Sequence, residues 1–294
     1  MRFDSYHPTI NLIYFAAVIT ATVRFLHPVF VALSLLCSFV YSVKLCGRRA
    51  LLGNFALLLL ALAWALWFAS YRHFGVTELA RNFIGNRITL ESLVYGLVTG
   101  VTACSVVFWL RCVHAVFCTD KIVYLFGRVS PRLALFLSVL LRWAPRVRAQ
   151  SRRIDAAQNG IGRGKTQGKL FRRIANALRE FSILLTWTSE NFLVASESMR
   201  SRGTTLRGRT AFSIYRFDNR DRSFVIAIFA CLTVLLAGDL LDQTNIHYDP
   251  QIIWNRITPL SGVFYAAYAV LCLLPMALQI LGERRMKRLA EKTA

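Results

Sequence analysis

The sequence predicts an all-α, polytopic membrane protein of about six transmembrane helices, interrupted by an insertion of long amphipathic helices. Hydrophobic residues make up 55% of the 294 and charged residues only 17%, a balance unlike that of soluble domains. Six segments, 9–23, 28–43, 52–70, 92–110, 223–238 and 260–281, contain no Asp, Glu, Lys, Arg or His. Between the fourth and fifth of these, residues 111–222 hold 22 Lys and Arg against 7 Asp and Glu, which is most of the chain's net charge of +21.

A spanning helix needs about 20 mainly apolar residues, within a range of about 17 to 25. The last four segments meet that length, whereas the first two are short and either tilt little or pair as a tight hairpin. Asp4 and Pro8 stand where a secretory leader would place a basic region and an apolar core, so the first helix is expected to stay in the mature protein. The chain then divides into N-terminal transmembrane helices (1–118), a basic helical region (119–222), and C-terminal transmembrane helices with a basic tail (223–294).

Charge sets the expected orientation. With both termini cytoplasmic, the outer loops hold only Arg24, Arg72, Arg81, Arg87 and Arg256, which leaves 31 of the 36 Lys and Arg inside, as positively charged inner loops require. The insertion is then cytoplasmic in a multi-pass protein of the cell membrane, and its partners are acidic protein surfaces or lipid headgroups. Nucleic acid is not an expected partner. The cations lie between spans and alternate with apolar residues at helical spacing, which suits a helix on a bilayer or against another protein.

Within the insertion, residues 133–141 are apolar but only nine long, and Arg132 and Arg142 bound them, so they are too short to span. Pro145 is expected to kink or restart that helix, which continues to the glycines at 160, 162 and 164. In the second helix Ile174, Leu178, Phe181, Leu185, Thr188, Phe192, Ala195 and Met199 recur every three or four residues. This stripe reads as a core-facing side. Each helix closes on a short tail, Gly162-Arg163-Gly164 and Ser201-Arg202-Gly203. Glycine supplies the left-handed residue that stops a helix, and a cation there is favoured by about 0.3 to 1 kcal/mol through the helix dipole. These six residues are the candidate binding site for an acidic partner, with Lys165 and Arg207 as solvated neighbours.

Other chemistries find little support. The seven cysteines lie in or beside apolar segments with no pair at metal-binding spacing, and the five histidines are scattered, so no metal or disulfide is predicted. The run Gly160-Ile161-Gly162-Arg163-Gly164-Lys165-Thr166 imitates a phosphate-binding loop, but Asn159 stands where that pattern needs glycine, and a basic helix precedes it in place of a strand. The uncharged segments lack the buried ionisable groups of coupled carriers. No nucleophile elbow or metalloprotease signature occurs, so no catalytic residue and no cofactor is predicted.

Two x-Arg-Gly tails closing two helices resemble the paired Ala-Arg-Gly motifs of the transmembrane T component of energy-coupling factor (ECF) transporters. The resemblance extends to Tyr6-His7-Pro8, to Gly85-Asn86-Arg87-Ile88-Thr89-Leu90-Glu91-Ser92, to Asp120-Lys121 through Gly127-Arg128, and to Gly208-Arg209-Thr210-Ala211-Phe212-Ser213-Ile214-Tyr215-Arg216-Phe217. It implies a coupling subunit linking two cytoplasmic ABC ATPases to a substrate-capturing membrane S component, for uptake of vitamins or other micronutrients. Hydrolysis would then reside in the ATPases, and Arg163 and Arg202 would tip two coupling helices, each in a groove of one ATPase. Gly162 and Ser201 depart from the motif's alanine but remain small. The alternative is a membrane receptor or assembly scaffold without ATPase partners.

Overall fold

The computed structural model describes residues 3–293 apart from 73, 82–86, 205, 207–214, 216, 250 and 255–257. Among the described residues nine α-helices follow one another: α1 (Pro8–Arg24), α2 (Pro28–Cys46), α3 (Arg49–Tyr71), α4 (Leu90–Val116), α5 (Thr119–Val129), α6 (Pro131–Gly160), α7 (Leu170–Ser201), α8 (Asn219–Leu240) and α9 (Pro259–Thr293). Five of them, α2, α3, α4, α8 and α9, are long and apolar enough to cross a membrane, and α1 is a shorter apolar helix of 17 residues. The protein is an all-α polytopic membrane protein. Two antiparallel hairpins, β1 (Glu78–Arg81) with β2 (Arg87–Thr89) and β3 (Ile246–His247) with β4 (Ile253–Trp254), connect α3 to α4 and α8 to α9. Several residues named from sequence, Gly85, Asn86, Arg207, Gly208 to Ile214, Arg216 and Arg256, lie outside the described residues.

The chain forms two compact units, Met1–Cys118 with Tyr215–Ala294, and Thr119–Ile214. In the first unit the helix starts are encoded locally. α1 and α2 each begin with a His-Pro pair: Nδ1 of His7 accepts the Thr9 amide at 3.3 Å and Nδ1 of His27 accepts the Val29 amide at 3.4 Å. Pro8 and Pro28 occupy the first helical position, where no amide is needed. α8 begins at Asn219, ahead of its uncharged segment, because Asp218 and Asp221 form a capping box that carries Arg220 and Arg222 into the first turn.

The bundle interior is aromatic, with Phe3, Tyr14, Phe15, Phe30, Tyr41, Trp109 and Tyr268 at most 2% exposed. The buried hydroxyls of Thr22, Ser34 and Tyr268 bond one another, since a bilayer core supplies no water. Thr22 Oγ1 lies 2.9 Å from Ser34 Oγ and 3.0 Å from Tyr268 Oη, and Trp109 Nε1 donates to Ser34 Oγ at 3.1 Å, so α1, α2, α4 and α9 meet at one polar knot. α3 and α4 approach through small residues: a Cβ at Gly96 would stand 3.1 Å from the Ala65 carbonyl oxygen, and one at Gly100 2.9 Å from that of Ala61. Ion pairs mark the two ends of the bundle. Arg24 meets Asp239 at 3.0 Å where α1 ends and α8 ends, and Lys44 meets Glu283 at 3.3 Å where α2 ends. The two hairpins share the first end.

Candidate functional site: two arginine-tipped helices

α6 and α7, of 30 and 32 residues, are the long helices of the second unit, about 45 and 48 Å at 1.5 Å per residue. α6 continues through Pro145 as one helix and does not restart there. Both helices end in the same hydrogen-bond pattern. For α6, the Gly162 amide donates to the Asn159 carbonyl at 3.2 Å and the Arg163 amide to the Gln158 carbonyl at 2.9 Å. For α7, the Gly203 amide donates to Arg200 at 3.0 Å and the Thr204 amide to Met199 at 3.3 Å. This paired bonding satisfies the last carbonyls of a helix and needs a left-handed residue, which Gly162 and Gly203 supply at φ 75° each.

The two arginines therefore occupy different positions. Arg202 is the cap residue itself, immediately before its left-handed glycine, whereas Arg163 follows its left-handed glycine and lies three residues past Gly160. Both side chains are exposed, and neither makes a hydrogen bond or ion pair among the described residues. Ser201 Oγ donates to the Ser198 carbonyl at 2.9 Å.

Lys165 corrects the sequence reading. In place of a solvated neighbour it is a clasp: its Nζ lies 3.2 Å from Oε2 of Glu180 on α7 and 3.6 Å from Oδ1 of Asp155 on α6. The Glu180 side chain is only 9% exposed. Its hydrogen bond to Lys165, reinforced by the charge of Asp155 and opposed by partial desolvation, raises the ammonium pKa above the usual lysine value. Amides complete the clasp. Asn176 Nδ2 donates to the Gly164 carbonyl at 3.0 Å, the Gly164 amide donates to Gln167 Oε1 at 3.3 Å, and Gln167 Nε2 donates to the Asn159 carbonyl at 3.4 Å. Gly164 is buried against α6, and a Cβ there would overlap the Asn159 side chain. The loop that imitates a phosphate cradle thus follows a helix and has its lysine committed to carboxylates.

The apolar stripe of α7 is a second correction. Ile174, Leu178, Phe181, Leu185 and Phe192 are between 55% and 63% exposed, so this side does not face a core. The helix instead buries Asn176 and Glu180, with Leu184 and Trp187 half-buried beside them. Towards the C-terminal half Phe192 meets Trp143 of α6 edge-on, with ring centroids 5.6 Å apart. Asn176 and Glu180 are one helical turn apart, as are Asp155 and Asn159 on α6. That spacing was the available signal for the clasp, and the apolar period on the adjoining face obscured it.

No known protein-family model matches the chain, and no curated protein matches it. Among the described residues no group of three or more His, Cys, Asp or Glu is placed to hold a metal ion.

Proposed function

We propose that this protein is the transmembrane coupling subunit of an energy-coupling factor transporter, joining two ABC ATPases to a substrate-capturing membrane subunit. The observation that carries the proposal is the pair of helix ends: two long helices of one unit, each stopped by a left-handed glycine, each presenting an exposed arginine whose side chain has no partner among the described residues. An arginine fork held at a helix end suits a carboxylate in a groove of another protein. The exposed stripe of α7 and the apolar part of α6 around 133–141 supply surface through which motion of the tips reaches the substrate-capturing subunit. ATP binds and is hydrolysed in the ATPases, and this chain contributes no catalytic group. It sits in the cell membrane with both termini and the second unit on the cytoplasmic side, where the positive charge concentrates.

Affinity purification from native membranes with identification of every bound protein tests the reading. Recovery of two ABC-type ATPases with a small membrane protein is expected, and their absence from an otherwise intact preparation overturns it. The unequal registers of Arg163 and Arg202 favour, as a second reading, a membrane receptor or assembly scaffold that holds one acidic partner through each tip without ATPases. In that case neither arginine affects ATP-driven uptake.

A further inference from the structure

We propose that Lys165 is a positioning residue for Arg163, fixing the direction in which the first tip presents its guanidinium. The inference rests on the coupling reading for its functional consequence, but its structural half stands on the isolated chain. Arg163 is bracketed. On its N-terminal side its own amide is bound to Gln158 of α6 at 2.9 Å. On its C-terminal side the next two residues are bound to α7, Gly164 through Asn176 at 3.0 Å and Lys165 through Glu180 at 3.2 Å. The backbone of Arg163 is thereby tied to both helices at once.

Glu180 gives the clasp its force. It is 7% exposed, and its other oxygen, Oε1, is buried without a hydrogen-bond partner, so Lys165 is the cation that answers a nearly buried carboxylate. Lys165 is itself 43% exposed, and an ion pair between two solvated groups would contribute little. The effect of removing it comes from leaving Glu180 with neither oxygen paired. The turn must then open to admit water, and Arg163 loses its fixed heading although its own side chain is untouched.

One measurement on the full-length protein in nanodiscs, amide exchange, and one with the ATPases test this. Amide exchange across 163–168 is expected to accelerate about tenfold in Lys165→Ala and to return near the wild-type rate in Lys165→Arg. Unchanged exchange in Lys165→Ala overturns the clasp whatever the protein's function. With the ATPases, Lys165→Ala is expected to weaken association about tenfold in the wild-type and Arg202→Ala backgrounds but less than about twofold in the Arg163→Ala background, the non-additivity of residues acting as one. Equal weakening in all three backgrounds overturns the positioning role and leaves Lys165 a general stabiliser. If Arg163→Ala itself leaves association unchanged, the coupling reading fails, and the positioning of a functional tip fails with it, while the exchange data still decide whether the clasp exists.

Discussion

Among the described residues the first tip is cross-braced and the second is not. Arg163 lies in a turn whose residues bond to both α6 and α7, with a lysine, two carboxylates and three side-chain amides drawn together beside it. Arg202 is held by its own helix, through its amide to Ser198 at 3.3 Å and the pair of bonds that follows it. The same helix-stopping geometry thus serves two mechanical situations: one arginine past the stop and braced from the neighbouring helix, the other on the stop and free to follow α7. If ATPase motion is transmitted, the first tip acts as a fixed strut and the second as a lever whose excursion follows that of a 32-residue helix.

The largest expected effect comes from removing both arginines. On the coupling proposal, each truncation would leave an acidic group in a partner groove unpaired, at a cost of about 2 to 5 kcal/mol. Arg163→Ala and Arg202→Ala are each expected to impair uptake in reconstituted vesicles, and the double variant to lose the ATPases in a pull-down. Lysine at either position restores little, because an ammonium lacks the planar fork. Full assembly by the double variant would reduce both tips to ordinary helix caps and dissolve the comparison.

Gly164→Ala sharpens it. The new methyl overlaps Asn159, so the turn must shift and the bond from Asn176 must lengthen. A loss of about 1 to 3 kcal/mol in the first tip's local stability is expected, read as faster amide exchange over 162–168 with residues 199–204 unchanged. The matching change at the second tip, Gly203→Ala, strains a left-handed position and meets Leu206 at 2.9 Å. It is expected to cost about 1 to 2 kcal/mol, confined to the last turn of α7. Cross-talk between the tips in either variant would show that they are not independent.

Much of the fold was legible because charge is excluded from lipid-facing segments: the six uncharged stretches all became helices, and His7-Pro8 and His27-Pro28 announce two of their starts. The knot of Thr22, Ser34, Trp109 and Tyr268 was not, because it joins positions up to 246 residues apart and no local pattern records which helices meet. At the tips, Arg-Gly announced a helix end, but the three-residue pattern does not say which residue is left-handed, so the offset between Arg163 and Arg202 stayed hidden. For α7, periodicity identified an apolar face but not what covers it. The chain leaves that face open and buries Asn176 and Glu180 instead.

The smallest effect is a pH dependence peculiar to the first tip. Lys165 has a raised pKa because Glu180 accepts its hydrogen bond. A cation stabilised in the folded state contributes fully below its unfolded pKa of about 10.4 and loses that contribution as pH rises through the folded value. With the exposed Cys46 and Cys118 replaced by serine, spin labels can be placed singly at Thr166→Cys in the braced turn and at Ser201→Cys at the end of α7. The label at 166 is expected to gain mobility above the ordinary lysine range while the label at 201 does not, and Glu180→Gln is expected to move the first transition to lower pH, because the neutral amide no longer favours the ammonium. The exposure of Lys165 keeps the change modest. Simultaneous loosening at both positions would mean that alkali melts the whole unit, and the brace would then not distinguish one tip from the other.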